Sequence, residues 1–203
     1  MSAGTRARAL LGGAALAAMA PAWGLAPEFT VVAAQSSLTF VATQQGERFT
    51  GRIPGFDARV RYAANDLAGS ALDVTIRIAS LDTQSPDRDQ ALAGAEWFDF
   101  AKFPTATFRT VAIRAAPAGP VADADLTIHG VTRRIPFPFK WIVDGERALL
   151  DAQITLDRLD FGIGTGEWAD ESLVGHKVEV TVHLTLVPAP APKPRAPAHP
   201  PSK

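Results

Sequence analysis

The chain has 203 residues, of which 47% are hydrophobic and 20% are charged, and this suits one well-packed domain better than two. A formal net charge of -1 offers no basic surface for nucleic acid or for an anionic membrane. The absence of cysteine excludes disulfides, thiol nucleophiles and thiolate-bound metals.

The N-terminus has the pattern of a secretory signal peptide. Two arginines precede an apolar run from residue 9 to 20, which is shorter than the roughly 18 to 20 apolar residues needed to span a bilayer. Small residues predict cleavage after Ala22, with cleavage after Ala26 as a second candidate and an uncleaved anchor as the alternative. We therefore expect a signal peptide at 1–22 and an exported protein, which in a Gram-negative bacterium would be periplasmic.

The middle of the chain alternates apolar and polar residues at period two, as half-buried strands do. Strands are predicted at 38–44, 56–62, 72–78, 107–114, 123–128, 134–143, 148–156 and 177–186. Pro136 and Pro138 cannot donate ladder hydrogen bonds, so an edge or a bulge is expected there. Eight antiparallel strands with short turns favour a closed barrel, because closure removes sheet edges, although a two-sheet sandwich has the same periodicity.

One helical segment interrupts the strands, at 85–94. Ser85 suits the N-cap, Pro86 the first helical position, and Gly94 a left-handed residue that ends the helix. The residues that follow, up to 108, are rich in aromatic side chains. We expect this segment to close one end of the barrel. The predicted fold is thus an all-β, eight-stranded antiparallel barrel with one short helix at an end.

Strand parity proposes which side chains face the barrel interior and any ligand in it. From the strands and their ends these are Phe40, Phe56, Val60, Leu72, Val74, Ile76, Phe137, Phe139, Trp141, Ile154, Leu156 and Phe161. At the closed or gated end they are Trp97, Phe98, Phe100 and Phe108. The alternative is a solid core, since small barrels are often filled by their own side chains, and core packing is the commoner role for any single residue.

Charged residues near the helix offer a further pattern. Arg88 and Asp89, with Asp157, Arg158 and Asp160, are expected to form an ion network that fixes the helix to the barrel. A catalytic acid/base pair is the alternative, but no nucleophile, metal cluster or activated base accompanies them.

Signals for catalysis or metal binding are weak. The glycine-rich segment 162–166 lacks the lysine of a phosphate loop and is expected to be a barrel-mouth loop. The histidines lack the short spacing of a metal motif, so no metal or cofactor is predicted. Only Glu167, Asp170 and Ser172 near Trp168 are loose candidates for a lipid-modifying enzyme, and no catalytic residue is predicted.

Five short segments in order resemble a known family. They are SSLTF at 36–40, FTGR at 49–52, RD with WFD and FPTATF within 88–108, DLTIHGVTR at 125–133, and DRLDFG at 157–162. This order is similar to that of the YceI-like family of polyisoprenoid-binding proteins over about residues 28 to 187. Details such as WFD resemble the branch associated with cytochrome b561 membrane proteins. Many members have a histidine where this chain has Ala91.

The resemblance implies a lipocalin-like barrel at 27–187, exported to the periplasm, with an apolar cavity for a polyisoprenoid such as a prenyl quinone. It implies a non-enzymatic carrier whose partner is an isoprenoid lipid, and it leaves a homodimer possible. A β domain that docks onto a cytochrome b561-like membrane protein, or a lipid-modifying enzyme, is the alternative. The Pro/Ala-rich stretch at 188–203 is expected to be a disordered tail.

Overall fold

The computed structural model describes residues 26–190. The predicted signal peptide at 1–22, and the tail beyond residue 190, lie outside the described residues. The single α-helix of the described part, α1, spans Pro86–Leu92. Its strands are β1 Glu28–Val31, β2 Ser37–Gln44, β3 Glu47–Arg52, β4 Phe56–Arg61, β5 Ala71–Arg77, β6 Thr105–Ala116, β7 Gly119–Ile128, β8 Val131–Asp144, β9 Arg147–Asp157 and β10 Lys177–Pro188.

These strands form one closed antiparallel barrel. Neighbours follow the order β1-β4-β5-β6-β7-β8-β9-β10, and pairing of β1 with β10 closes the ring. The β2–β3 hairpin continues β1 and β4 past breaks at 32–36 and 53–55, so these four segments act as two long kinked strands. The eight-stranded barrel is confirmed, and the sandwich alternative is wrong, because closure leaves one continuous sheet.

Each predicted strand is present, and two short segments, β1 and β3, were not predicted. β1 has only four residues, and β3 carries one aromatic residue, Phe49, with Gly51 next on the same face. Gln45 and Gly46 join β2 to β3 with φ angles of 51° and 82°, as a tight two-residue hairpin turn requires.

The two prolines of β8 lie where this strand has one neighbour. β8 pairs with β7 up to Pro138 and with β9 only from Phe139 onward. β9 does not pair with this part of β8, so the prolines, which lack an N–H group, break no hydrogen bond on that side. The predicted local edge is confirmed.

The antiparallel order sorts the connections between the two ends of the barrel. The turns at 45–46 and 129–130, the long connection 78–104 that contains α1, and the connection 158–176 lie at one end, here called the helix end. The connection 62–70 and the turns at 117–118 and 145–146 lie at the other, the far end. Within residues 26–190, no helix is long and apolar enough to cross a bilayer.

Both ends of α1 differ from the predicted caps. Ser85 has the extended N-cap conformation, but its side chain makes no capping hydrogen bond. Asp89 instead accepts hydrogen bonds from the backbone N–H and hydroxyl of Thr83, at 2.9 and 2.6 Å. Gly94 is not left-handed, because its N–H bonds to the Ala91 carbonyl at 3.0 Å and the chain continues in turns without reversing there.

Candidate ligand cavity

The barrel encloses a cavity of about 420 Å³. This volume lies within the roughly 300–1,000 Å³ of typical ligand pockets. Its wall comes from β2 to β10 together with the connections at the helix end. The interior is therefore not filled by its own side chains, as a solid core would be.

All but three of the predicted inner-face residues line this cavity. They are Phe40, Phe56, Val60, Leu72, Val74, Ile76, Trp97, Phe98, Phe108, Phe137, Ile154, Leu156 and Phe161. Parity succeeds for the ten of them that lie on strands, because a closed barrel turns the same face of every strand inward. Trp97, Phe98 and Phe161 lie in the connections at the helix end. Contact of these side chains with a ligand stays a prediction.

Phe139 and Trp141 have inward parity but lie outside the cavity. They pack near the far end, where the Tyr62 ring lies 5.6 Å from that of Phe139 and 4.5 Å from that of Trp141. Phe29 completes this cluster, with its ring 5.1 Å from Trp141. Burial raises the pKa of the Tyr62 hydroxyl. These four rings fill the far end, so the cavity stops short of it.

The aromatic segment closes the helix end only in part as predicted. Trp97 and Phe98 line the cavity, whereas Phe100 lies beside Phe98 with a ring separation of 6.3 Å and does not reach the lining. Phe108 belongs to the wall: it is in β6, and its ring meets Phe137 edge-on at 4.9 Å. Strand pairing of β6 from Thr105 onward places Phe108 there.

The glycine-rich loop packs against the aromatic segment. The Gly164 N–H donates to the Glu96 carbonyl at 2.9 Å, and the Trp168 indole N–H donates to the Glu96 carboxylate at 3.0 Å. The Trp97 and Trp168 rings lie 5.7 Å apart. The two connections thus cover the helix end together.

The buried side chain of Arg158 binds the backbone of the connection 158–176, which contains the glycine-rich loop. The Nε and both Nη atoms of Arg158 donate to backbone carbonyls at distances that include 3.0 Å to Gly175 and 2.8 Å to both Ile163 and Val174. Further bonds reach the carbonyls of Gly164 and Trp168. Burial lowers the pKa of Arg158. Backbone carbonyls are the direct partners of this buried charge, and the Asp157 carboxylate stabilises it through charge attraction without a hydrogen bond.

The predicted ion network is wrong. Asp157 pairs with Lys177 at 3.0 Å and accepts a hydrogen bond from the Leu159 N–H at 3.0 Å. Burial acts to raise the pKa of Asp157, but these two hydrogen bonds together with the positive charge of Lys177 outweigh it and leave the pKa below its usual value. Asp160 contributes only its backbone carbonyl, to Arg133 at 3.0 Å. Asp157 and Asp160 therefore bind partners other than Arg88 and Arg158.

Arg88 does not join such a network either. Its Nη1 donates to the Gln44 side-chain oxygen at 2.8 Å, and its Nη2 donates to the Thr83 carbonyl at 3.4 Å. The guanidinium carbon lies 3.9 Å from the centre of the Phe49 ring. The Nε atom is buried and has no hydrogen-bond partner among residues 26–190.

Polarity in the cavity is confined to the helix end. The lining residues with polar or charged groups in their side chains are Gln44, Ser85, Asp87, Arg88, Trp97, Arg158 and Trp168. All of them belong to the β2–β3 hairpin or to the two long connections at that end. Toward the far end the lining is aliphatic and aromatic, so the cavity is apolar over nearly all of its surface and has a few polar groups at one end.

The loose catalytic candidates lie outside the cavity lining. Glu167, Asp170 and Ser172 are exposed, and the Ser172 hydroxyl donates to the Asp170 carboxylate at 2.7 Å. This bond and one from the Ser172 N–H lower the pKa of Asp170. The arrangement caps a turn. Across residues 26–190, no cluster of three or more His, Asp or Glu residues could hold a metal ion.

Sequence reasoning missed Gln44 and Phe49 as site residues. Both sit beside the β2–β3 turn, and Phe49 belongs to a strand without clear alternation. Gly46, which suits a two-residue hairpin, is the signal that would have paired Gln44 with Glu47 and Phe49 with Ala42, two positions along the same hairpin.

Comparisons with known proteins agree with this architecture. The YceI-like domain family matches residues 29–186. A UPF0312 protein of Vibrio vulnificus is 30% identical over 151 residues, which cover 69% of this chain and 80% of the relative. The crystal structure of Burkholderia cenocepacia BcnA superposes with a TM-score of 0.72 at 30% identity, over 76% of this chain and 98% of BcnA.

A more distant structure shares the fold. A polyisoprenoid binding domain from Saccharophagus degradans has a TM-score of 0.63 at 17% identity, over 82% of this chain and 100% of that domain. The family match spans the barrel from β1 to β10, and the five ordered segments noted in the sequence lie within it. The chain therefore belongs to the YceI-like family.

Proposed function

We propose that this protein binds an isoprenoid lipid in the barrel cavity and carries it between membranes. The observation that carries the proposal is the apolar cavity of about 420 Å³, whose few polar side chains all lie at the helix end. Membership of the YceI-like family supports it, as does the fold shared with a domain described as polyisoprenoid binding.

The energetics favour a carrier over a permanent store. Burying about 20 tail carbons yields roughly 16 kcal/mol at about 0.8 kcal/mol each, before the cost of ordering the tail is subtracted. A bilayer offers the tail a similar environment, so transfer from membrane to protein is close to balance. A lipid held in this way exchanges readily.

Two measurements test the carrier function. Mass spectrometry of an organic extract of the natively purified protein is expected to show a prenyl lipid. The protein is expected to move a labelled prenyl quinone from donor to acceptor vesicles faster than bare vesicles exchange it. Failure of both transfer and co-purification would refute the proposal. A modified lipid product would point to an enzyme, and a lipid-free protein that captures a cytochrome b561-like protein would point to docking.

We also propose that the protein acts in the periplasm and needs no resident cofactor. The arginine-preceded apolar run at the N-terminus supports export. A fusion of residues 1–30 to a reporter that is active only after export is expected to give signal. Substituting the apolar run with charged residues is expected to abolish it, and an unchanged signal would contradict export.

A further inference from the structure

We infer that Arg88 is the polar anchor of the cavity, and that its guanidinium group donates a hydrogen bond to an oxygen atom on the head group of the bound lipid. This inference rests on the proposed lipid binding and extends it to the orientation of the ligand and to the chemistry of its head. The lipid lies with its head at the helix end and its tail toward the far end.

The distribution of polar side chains sets the orientation. Every polar residue of the lining lies at the helix end, and the four-ring cluster of Phe29, Tyr62, Phe139 and Trp141 fills the far end. A polar head placed toward the far end would lose its hydration without gaining partners, which is costly. The opposite orientation leaves only the tail in apolar surroundings.

Two arginines line the polar end, and only one has a donor to spare. Arg158 uses Nε and both Nη atoms on backbone carbonyls. Among the described residues, Arg88 has one hydrogen bond from Nη1, to Gln44, and one from Nη2, to the Thr83 carbonyl. Each Nη atom carries two N–H groups, so each keeps one for a further partner. A polar group that lines a cavity and has a spare donor can bind a ligand oxygen.

The Arg88 guanidinium is held in place for this role. It lies over the Phe49 ring with 3.9 Å between the guanidinium carbon and the ring centre, and Gln44 fixes its Nη1. Among the described residues, no carboxylate lies within 4.0 Å of it. Its charge is therefore available to strengthen a hydrogen bond to the ligand.

The partner that fits is an oxygen acceptor, either a carbonyl, as in a quinone, or a phosphate. Asp87 also lines this end, and its exposed carboxylate would repel a highly charged phosphate. Both acceptor chemistries are covered by comparing a prenyl quinone, a prenyl phosphate and an oxygen-free prenyl hydrocarbon of equal tail length.

Arg88→Met tests the anchor, because methionine keeps much of the side-chain length and removes every donor. We expect Kd for the acceptor-bearing lipid to rise about ten- to a hundredfold, as loss of a charge-assisted hydrogen bond predicts. Kd for the hydrocarbon is expected to change by less than about threefold. Arg48→Met is the matched control, since Arg48 is exposed and pairs with Glu179 on the outer wall; it should leave all three constants unchanged.

The outcomes are distinct. Equal losses for the quinone, the phosphate and the hydrocarbon would show that Arg88 only packs, and unchanged constants would also overturn the anchor. If the unmodified protein binds none of the three lipids, the proposed function fails first. Should Arg88→Met not fold, the ¹⁵N resonances of the Arg88 guanidinium group in the unmodified protein decide: they are expected to shift with quinone or phosphate and not with hydrocarbon, and no selective shift would refute the inference.

Discussion

Replacing Ile154 by tryptophan tests whether the interior of the barrel is a ligand cavity. Ile154 lies in β9 opposite Val180 of β10, and both side chains line the cavity. The free volume of about 420 Å³ can take an indole ring without displacing the wall. We therefore expect Ile154→Trp to block the tail while the lipid-free protein stays folded.

The size of the effect follows from the space lost. If the ring displaces about four tail carbons, roughly 3 kcal/mol of burial is lost at about 0.8 kcal/mol per methylene group. That is about two orders of magnitude in Kd. A solid core would respond differently, because overpacking costs about 1–3 kcal/mol in the free energy of unfolding. A ligand cavity therefore predicts weaker lipid binding with unchanged stability, and a solid core predicts a loss of stability.

The assays are a titration with a labelled prenyl lipid and urea unfolding of the lipid-free protein. Gln153→Trp is the matched control, because Gln153 is the preceding residue of β9 and is exposed on the outer face. It is expected to change neither quantity by much. Unchanged lipid affinity in Ile154→Trp, or a stability loss of the size expected for a solid core, would refute the cavity.

Three further substitutions test the structure around the cavity. Arg158→Met is expected to lower the free energy of unfolding by at least about 3 kcal/mol, because several buried carbonyls lose their donor; urea unfolding measures this. Asp157→Asn is expected to flatten the acid limb of stability, measured as Tm against pH. The folded-state pKa of Asp157 is depressed, so its contribution is present above about pH 4 and lost as pH falls through the folded-state pKa. Gly51→Ala is expected to cost about 1–3 kcal/mol in chemical unfolding, because the new methyl group overlaps the Phe40 ring.

Controls and contrary results are specific to each substitution. Arg48→Met removes an exposed ion pair and should cost about 0–1 kcal/mol, so equal losses in Arg48→Met and Arg158→Met would contradict the role given to Arg158. A Tm profile of Asp157→Asn that parallels the unmodified protein down to pH 3 would contradict the assigned pKa direction. A fully stable Gly51→Ala would mean that the Phe40 ring moves freely.

Much of the barrel follows from local pattern. The alternation in β4, β5, β9 and β10 predicts strand, face and approximate bounds, because neighbouring side chains on a strand point to opposite sides whatever the strand pairs with. The same parity places Ile154 in the cavity lining. This reasoning does not find β1 and β3, because β1 is short and β3 contains Gly51, which weakens the strand pattern. In the fold, Gly51 leaves room for the Phe40 ring on the neighbouring strand.

Partner choice for charged groups does not follow from sequence. Arg88 and Arg158 precede or follow aspartates along the chain, which predicted an ion network. In the fold, Arg88 reaches Gln44, which is 44 residues away, and Arg158 reaches carbonyls of its own loop. Distance through space decides such pairs, and sequence separation carries little information about it.

The sequence by itself determined the strand class, the inward faces and, through five ordered segments, the YceI-like family. Only the tertiary structure decided where the cavity stops and which end of it is polar. Phe139 and Ile154 have the same inward parity, yet the first fills the far end and the second lines free space. The physical reason is that a void is set by the side chains that converge from all walls at one level of the barrel, and no single strand specifies that sum.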